Sequence, residues 1–511
     1  MKSIAHAGRR WTVAAVAALG ALTLAIGAGA TATATSSGQS TSTPVPSTFP
    51  DGMLMSYVVN ARIANPGQVR LVEKAVAAAG GVVVQSWPQI GVVIAHSDRS
   101  AFRAEVVKAG GNAVQSVGAT RTASVSEGTP AGLGATWGRG AADYKKATGK
   151  PANGDLPAES PTPGVGSDAL ESRQWDMTMI NAPAAQAVTD GNRNVLVGVL
   201  DSGIDPDHPD LAANIDIASS VNCTAAGRPD LSPTGWYPTT SDHGTHVAGT
   251  IAAARNGVGI VGVAPNVRMA AVKVVNDDGY IYPEYAICGF VWAGLKKMDV
   301  TNNSYYIDPF EFWCSDQPDQ AAAKEAVRRA VTWATGQGVV HAAAAGNSAY
   351  DLANKTVDNG SPNDTTPVAR VINNGCQDIP TELDGVVTVA SLQQFPAGST
   401  TSRLSYFSNR GQGVIDVAAP GSSILSTIVR NNGWGTKSGT SMASPHVAGV
   451  LALMKTAHPT WTPDRMIAEL KARAVAKPCS AATAGAVCVG DPGNNSYFGA
   501  GVVDALAVMQ P

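Results

Sequence analysis

From Gly439 to Gly449 the chain reads Gly-Thr-Ser-Met-Ala-Ser-Pro-His-Val-Ala-Gly, a glycine-led turn that runs directly into an alanine-rich helix. The pattern puts the Ser441 hydroxyl near a helix N-terminus, where unpaired N–H groups and the positive dipole end favour developing negative charge. Pro445 fits this arrangement, because it has no N–H to give to the Ser441 carbonyl four residues back, and the first turn stays open. Two upstream pieces match it. Val199-Leu200-Asp201-Ser202-Gly203 closes an apolar strand, and Asp242-His243-Gly244-Thr245-His246-Val247-Ala248-Gly249-Thr250 opens another helix.

A serine hydroxyl is a weak nucleophile at neutral pH. An imidazole must take its proton, and a carboxylate must hold that imidazole's tautomer and orientation. Asp201, His243 and Ser441 fill these roles in chain order Asp, His, Ser, whereas α/β-hydrolases run Ser, Asp, His and the chymotrypsin type runs His, Asp, Ser. A fourth block, Val339 to Asn347, is an apolar strand that ends in glycine and then an amide. At these residues, and from about Trp175 to about Val503, the chain resembles the subtilisin-like serine proteases.

The resemblance implies a serine endopeptidase working through an acyl-enzyme, with Asn347 and the Ser441 N–H binding the oxyanion. It assigns Ser304, Ala345 and Gly346 to the substrate cleft, and Asp210 and Asn256 to a structural calcium loop; a loop satisfied without metal is the alternative. The usual N-terminal glutamine ligand is not obvious, and Glu171 stands near its place. The chain also departs from the family pattern. Where the family strand runs into Ser-Leu-Gly, Ser304 is followed by Tyr305-Tyr306, so tyrosine stands where glycine is expected, and the aromatics of 305–313 either contact substrate or pack beneath an inserted loop. A second insertion, about 349–378, carries Asp351, Asp358 and Asp364, read as solvated loop charges, with selection of a basic substrate side chain as the alternative. His246 and His446 are expected to pack in helices, and Asp205 to be a solvated loop residue.

With 511 residues, a net charge of −3 and 15% charged residues, the chain has no basic surplus that points to nucleic acid. Residues 1–34 read as a signal peptide: Lys2, Arg9 and Arg10 precede an apolar run from Val13 to Ile26 and small-residue cleavage sites. A membrane anchor is the competing reading, and Arg9-Arg10 leaves Sec and twin-arginine export both open. The six cysteines all fall after residue 222; in an exported chain they imply disulfides, with Cys479 to Cys488 the pair suggested by proximity.

Residues 35–52 are Ser, Thr and Pro-rich and expected to be disordered. Residues 53–123 carry a β-α-β-β-α-β pattern of the ferredoxin-like α+β type, which resembles the propeptide of the same proteases and implies a chaperone and transient inhibitor; an accessory binding domain is the alternative. Residues 124–172 form a Gly, Pro and Ala-rich linker. Residues 173–511 alternate apolar runs with helical stretches, as an α/β fold with a mainly parallel central sheet requires, and the resemblance implies the three-layer subtilisin-like arrangement of it. The expectation is a secreted, self-processing, monomeric enzyme acting on proteins or peptides, with no organic cofactor, no nucleic acid partner and no stable membrane association. A peptide ligase on the same scaffold and a non-enzymatic binding protein are its rivals.

Overall fold

The computed structural model describes residues 41–45, 49–127, 167–399, 401–479 and 487–511; the expected signal segment and most of the linker lie outside them. The N-terminal unit runs β1 (Met55–Ala61), α1 (Pro66–Ala78), β2 (Val82–Trp87), β3 (Val92–Ser97), α2 (Phe102–Gly110) and β4 (Val114–Ala119). Asn65 starts α1 by accepting the Gln68 N–H, and Pro66 occupies the first helical position, where its missing N–H costs nothing. The strands pair antiparallel in the order β2-β3-β1-β4.

Alternation along β1 divides its side chains between two cores. Tyr57 and Val59 pack with Val69, Val72 and Phe102 under α1 and α2. Val58 joins Trp87, Val92 and Ile94 in a cluster shared with helices of the larger domain. Each such large apolar side chain contributes about 1.5–3 kcal/mol when fully buried, so the sheet adheres through its open face. The stretch just before this unit is partly ordered, contrary to expectation: Ser42 is buried, and its N–H and hydroxyl both bond the Asp316 carboxylate.

In the larger domain, β5 (Leu196–Asp201), β6 (Val221–Ala225) and β7 (Arg228–Asp230) precede α3 (His243–Ala252). Next come β8 (Arg268–Lys273), α4 (Pro283–Leu295), β9 (Val300–Asn303), α5 (Pro318–Gly336) and β10 (Val340–Ala344). Then follow β11 (Val386–Gln394), β12 (Ser402–Leu404), β13 (Val417–Pro420), β14 (Ile424–Ile428), β15 (Gly433–Lys437) and α6 (Thr440–Ala457). The central sheet has the order β12-β11-β10-β9-β5-β8-β6-β7, with β13 also on β11. Its inner pairings are parallel, and the outer pairs β11/β12 and β6/β7 are antiparallel.

Both faces of this sheet are covered, which is why its strands read as continuous apolar runs. Val197, Val199, Met269 and Ala271 pack against Val247 of α3 and Val447 of α6. Their neighbours Leu196, Leu200, Ala270 and Val272 pack against Tyr285 of α4 and Val327 of α5. The result is a three-layer α/β fold. The cysteines pair as Cys223–Cys288, Cys314–Cys376 and Cys479–Cys488, so the expected short pair forms and two long-range pairs join it.

Candidate active site

Parallel strands end at a common edge, and β10, β9 and β5 are neighbours. Asp201 ends β5, Ser304 directly follows β9 and Asn347 lies three residues past β10, so all three come to one edge of the sheet. Asp201 follows Val197 and Val199 in alternation, so its carboxylate emerges on the face covered by α3 and α6. It is 1% exposed, accepts the Ser202 N–H at 2.7 Å, and lies 2.9 Å through each oxygen from His243 Nδ1. His243 is the first residue of α3. Gly244 permits the approach, since a Cβ there would lie 2.3 Å from the Gly203 carbonyl oxygen and 3.0 Å from the Asp201 Cβ.

Burial pulls the His243 pKa down, but the charge and hydrogen bond of Asp201 outweigh it and leave the ring above its ordinary value. Lys437 opposes this effect and is itself paired with Asp242 at 2.9 Å. The imidazole side chain remains 31% exposed.

Ser441 is the second residue of α6. Pro445 withholds the N–H that its carbonyl would otherwise accept, and the Ser304 hydroxyl donates to that carbonyl instead, at 2.8 Å. Ser441 Oγ in turn donates to the Ser304 carbonyl at 3.1 Å and makes no hydrogen bond to His243 in this rotamer. Thr440 orients the amide beside it: its N–H and its hydroxyl both bond Asn347 Oδ1, at 2.8 and 2.9 Å. That consumes the amide's acceptor and leaves Nδ2 to the cleft. Asn347 Nδ2 and the Ser441 N are each 3.6 Å from the point where a Cβ on Gly439 would sit. Glycine there keeps a methyl group out of the space between two donors. Sequence reasoning missed Thr440, whose signal is a hydroxyl directly before the nucleophile candidate.

A cleft of about 320 Å³ opens beside these groups. Ser304 and Gly346 line it together with Ala344; Ala345 is turned away, its N–H on Val389 and its carbonyl on Asn409. Tyr305 and Tyr306 line it as well, which places these two aromatics at the cleft rather than beneath a loop. The expected solvated acids behave differently from expectation. Asp358 is fully buried and ion-paired with Arg370. Asp364 accepts the N–H groups of Thr122 and Ala123 at 2.8 and 2.9 Å, and Asp351 caps its own turn at Ala353 and Asn354. The acids that do line the cleft, Asp308, Glu311 and Asp378, went unnoticed because each sits in a segment without motif or periodicity.

His246 is buried, with Nε2 facing the carbonyls of Ile424 and Gly435, and His446 bridges Met442 and Asp176. Both are structural, as expected. Asp205 is not solvated: it is fully buried, with its N–H on the Thr245 hydroxyl. The Asp210 and Asn256 loop closes on its own donors. Asp210 Oδ2 accepts from the Trp434 indole at 2.7 Å and the Ile260 N–H at 3.1 Å, and Oδ1 faces Asn256 Nδ2 at 3.4 Å. Asn256 Oδ1 is held by the Val258 N–H. Asp168, rather than Glu171, reaches this loop, accepting from Asn256 and Gly257; Glu171 pairs with Arg255. Burial, against these bonds, pushes Asp210 up to about 7. Calcium needs converging oxygen ligands, and a carboxylate ringed by N–H groups does not fit it.

Set beside known proteins, residues 192–501 match the Subtilase family. Subtilisin E of Bacillus subtilis (strain 168) is 34% identical over 346 residues, which cover 68% of this chain and 74% of the relative. An intracellular serine protease of Paenibacillus polymyxa is 36% identical over 277 residues, 54% of this chain and 71% of the relative. Among solved structures, fervidolysin from Fervidobacterium pennivorans, a keratinolytic enzyme related to subtilisin, superposes with a TM-score of 0.61 at 23% identity, over 91% of this chain and 62% of that one. The epidermin leader peptide processing serine protease of Staphylococcus aureus gives a TM-score of 0.62 at 21% identity, over 89% and 98%. These two likenesses concern the fold.

Proposed function

On the premise that the chain belongs to the subtilase family and is a serine endopeptidase acting on proteins or peptides, we propose that Ser441, His243, Asp201 and Asn347 carry the reaction. The observation that bears most weight is the 2.9 Å pairing of His243 Nδ1 with a buried Asp201 at the strand edge where α6 presents Ser441. Ser441 Oγ leaves the Ser304 carbonyl by rotation about Cα–Cβ, gives its proton to His243 Nε2 and bonds to the substrate carbonyl carbon. The carbonyl oxygen becomes an anion between Asn347 Nδ2 and the Ser441 N–H. Asp201 keeps Nδ1 protonated and stabilises the imidazolium. The C–N bond then breaks, the amine leaves with the Nε2 proton, and water repeats the sequence to release the acid and restore Ser441.

The N-terminal unit serves this site as a propeptide. Its support is the shared apolar cluster and the clamp at its end, where Thr122 and Ala123 bond Asp364 and the Arg121 guanidinium lies 3.7 Å from the Tyr282 ring centre. Asp364 follows Asn363, a residue of the cleft wall. Release of 53–123 after cleavage in the linker, secretion by the 1–34 segment, and a monomeric mature enzyme complete the proposal. No described helix is long and apolar enough to cross a membrane. Ser304, Gly346 and the adjoining main chain hold the substrate. The Asp210 and Asn256 loop stands on its own donors, with no step assigned to a metal.

The test is expression of Ser441→Ala beside the unaltered chain. The expected outcome is a precursor that keeps its N-terminal unit and hydrolyses no casein. Processing at the normal rate in the variant would overturn the assignment.

A further inference from the structure

Asp378 is 1% exposed, and its Oδ1 has no hydrogen-bond partner among the described residues. Leaving a buried carboxylate oxygen unpaired costs several kcal/mol. Such a group persists where a ligand supplies the missing donor. Asp378 lines the same cleft as Ser441 and Asn347, and its other oxygen lies 3.6 Å from where a Cβ on Gly346 would be, beside the oxyanion residue. We propose that this cleft selects a lysine or arginine side chain on the substrate residue whose carbonyl Ser441 attacks, with Asp378 as its ionic partner. The inference rests on the assignment of Ser441 as nucleophile.

The surroundings agree with a cationic occupant. Glu311 and Asp308 also line the cleft, and their carboxyls, pushed up to about 7 by burial, gain negative charge when a cation enters. Asp308 is already bonded by Asn363 Nδ2 and the Ile281 N–H, both at 2.6 Å, so it contributes field more than contact. The protein's own cations are engaged elsewhere. Lys355 is held at 2.6 Å by Glu382 and at 2.6 Å by the Leu352 carbonyl, and Lys324 by Gly375 and Gln377. The rings of Tyr305 and Tyr306 supply faces along which an alkyl-ammonium or guanidinium can lie.

A divalent metal fits less well. The only three metal-ligating groups within 4.8 Å of one another among the described residues are Cys314, Asp316 and Cys376, two of which form a disulfide. The cleft acids are too dispersed for one ion's coordination shell, whereas an extended guanidinium spans such spacing. Burial, then Glu382 and Glu311, push the Asp378 carboxyl well up, with Lys355 and Thr381 opposing; burial takes Glu311 up to about 7. A cation entering the cleft therefore favours loss of a proton there, and selection sharpens as pH rises.

The experiment uses the full chain, expressed and allowed to process, and titrated with an organophosphonate to count reactive Ser441. Fluorogenic peptides differ only at the residue before the scissile bond: arginine, lysine, citrulline or leucine. Citrulline keeps the shape of arginine without its charge. The expected kcat/KM for arginine exceeds that for citrulline by about 100-fold, and Asp378→Asn cuts that ratio to below about 5-fold. Equal rates for arginine and citrulline in the unaltered enzyme would overturn the proposal, and so would leucine preferred to arginine. Should Asp378→Asn fail to fold, the unaltered enzyme's ratio and a lowered ratio in Glu311→Gln decide. Absence of phosphonate reaction would instead defeat the nucleophile assignment, so the two failures are distinguishable.

Discussion

Asp201, at the end of β5, and Asp378, in the cleft wall, are both 1% exposed and differ in what faces them. Asp201 meets the Ser202 N–H and the His243 ring; Asp378 has an oxygen that meets nothing. A buried carboxylate with donors on it is an organiser, because it fixes the groups that satisfy it. One without a donor is a receptor, since its cost is relieved only when something binds. The cleft thus divides into a half built to hold geometry and a half built to await a side chain.

The largest effects belong to the organising half. Ser441→Ala is expected to lower kcat by about 10⁶, because the members of such a triad act as a unit; single-turnover assays would check it. Asp201→Asn is expected to cost about 10⁴ in kcat. It also removes what holds the His243 pKa above its ordinary value. Activity needs the neutral ring and so appears as pH rises through that pKa; in the variant the rising limb moves to lower pH. An unmoved limb would mean that Asp201 does not tune the imidazole.

Asn347→Ala is expected to reduce kcat by roughly 10²–10³ with KM little changed, because in the role proposed for it the amide binds charge that exists only in the transition state. A change in KM alone would transfer Asn347 to the receptor half. Smallest is Ser304→Ala, which removes the donor to the Ser441 carbonyl; a loss of about 0.5–1.5 kcal/mol in denaturant unfolding is expected. Chelator treatment sharpens the same contrast at the Asp210 loop. A carboxylate already served by Trp434 and Ile260 predicts an unchanged melting temperature, and a clear fall would show that metal displaces those donors.

The organising half was legible in sequence because its residues are bound to backbone events with strong local signatures. An apolar strand ending in Asp-Ser-Gly, a helix opening at His243 and a proline four residues past Ser441 each dictate a local geometry. The continuous apolar run through Leu196 to Leu200 was readable as a doubly covered strand, and the N-terminal unit has the β-α-β-β-α-β order read from residues 53–123. The receptor half was opaque. Asp308, Glu311 and Asp378 reach the cleft through irregular loops, tied by the Cys314–Cys376 link and by Arg370 buried on Asp358. No period marks such segments, and whether an acid in them is solvated or buried depends on contacts far away in the chain. Asp205 and Asp358 were misjudged for that reason. The short strands β6, β7 and β12 to β15 were likewise unmarked, being brief and partly polar at the margins.

The most direct measurement is peptide mapping by mass spectrometry after reaction with an organophosphonate, on the processed enzyme and on His243→Ala. The expected result is one adduct, on the peptide containing Ser441, and its loss in the histidine variant. An adduct on another serine, or equal labelling without His243, would contradict it.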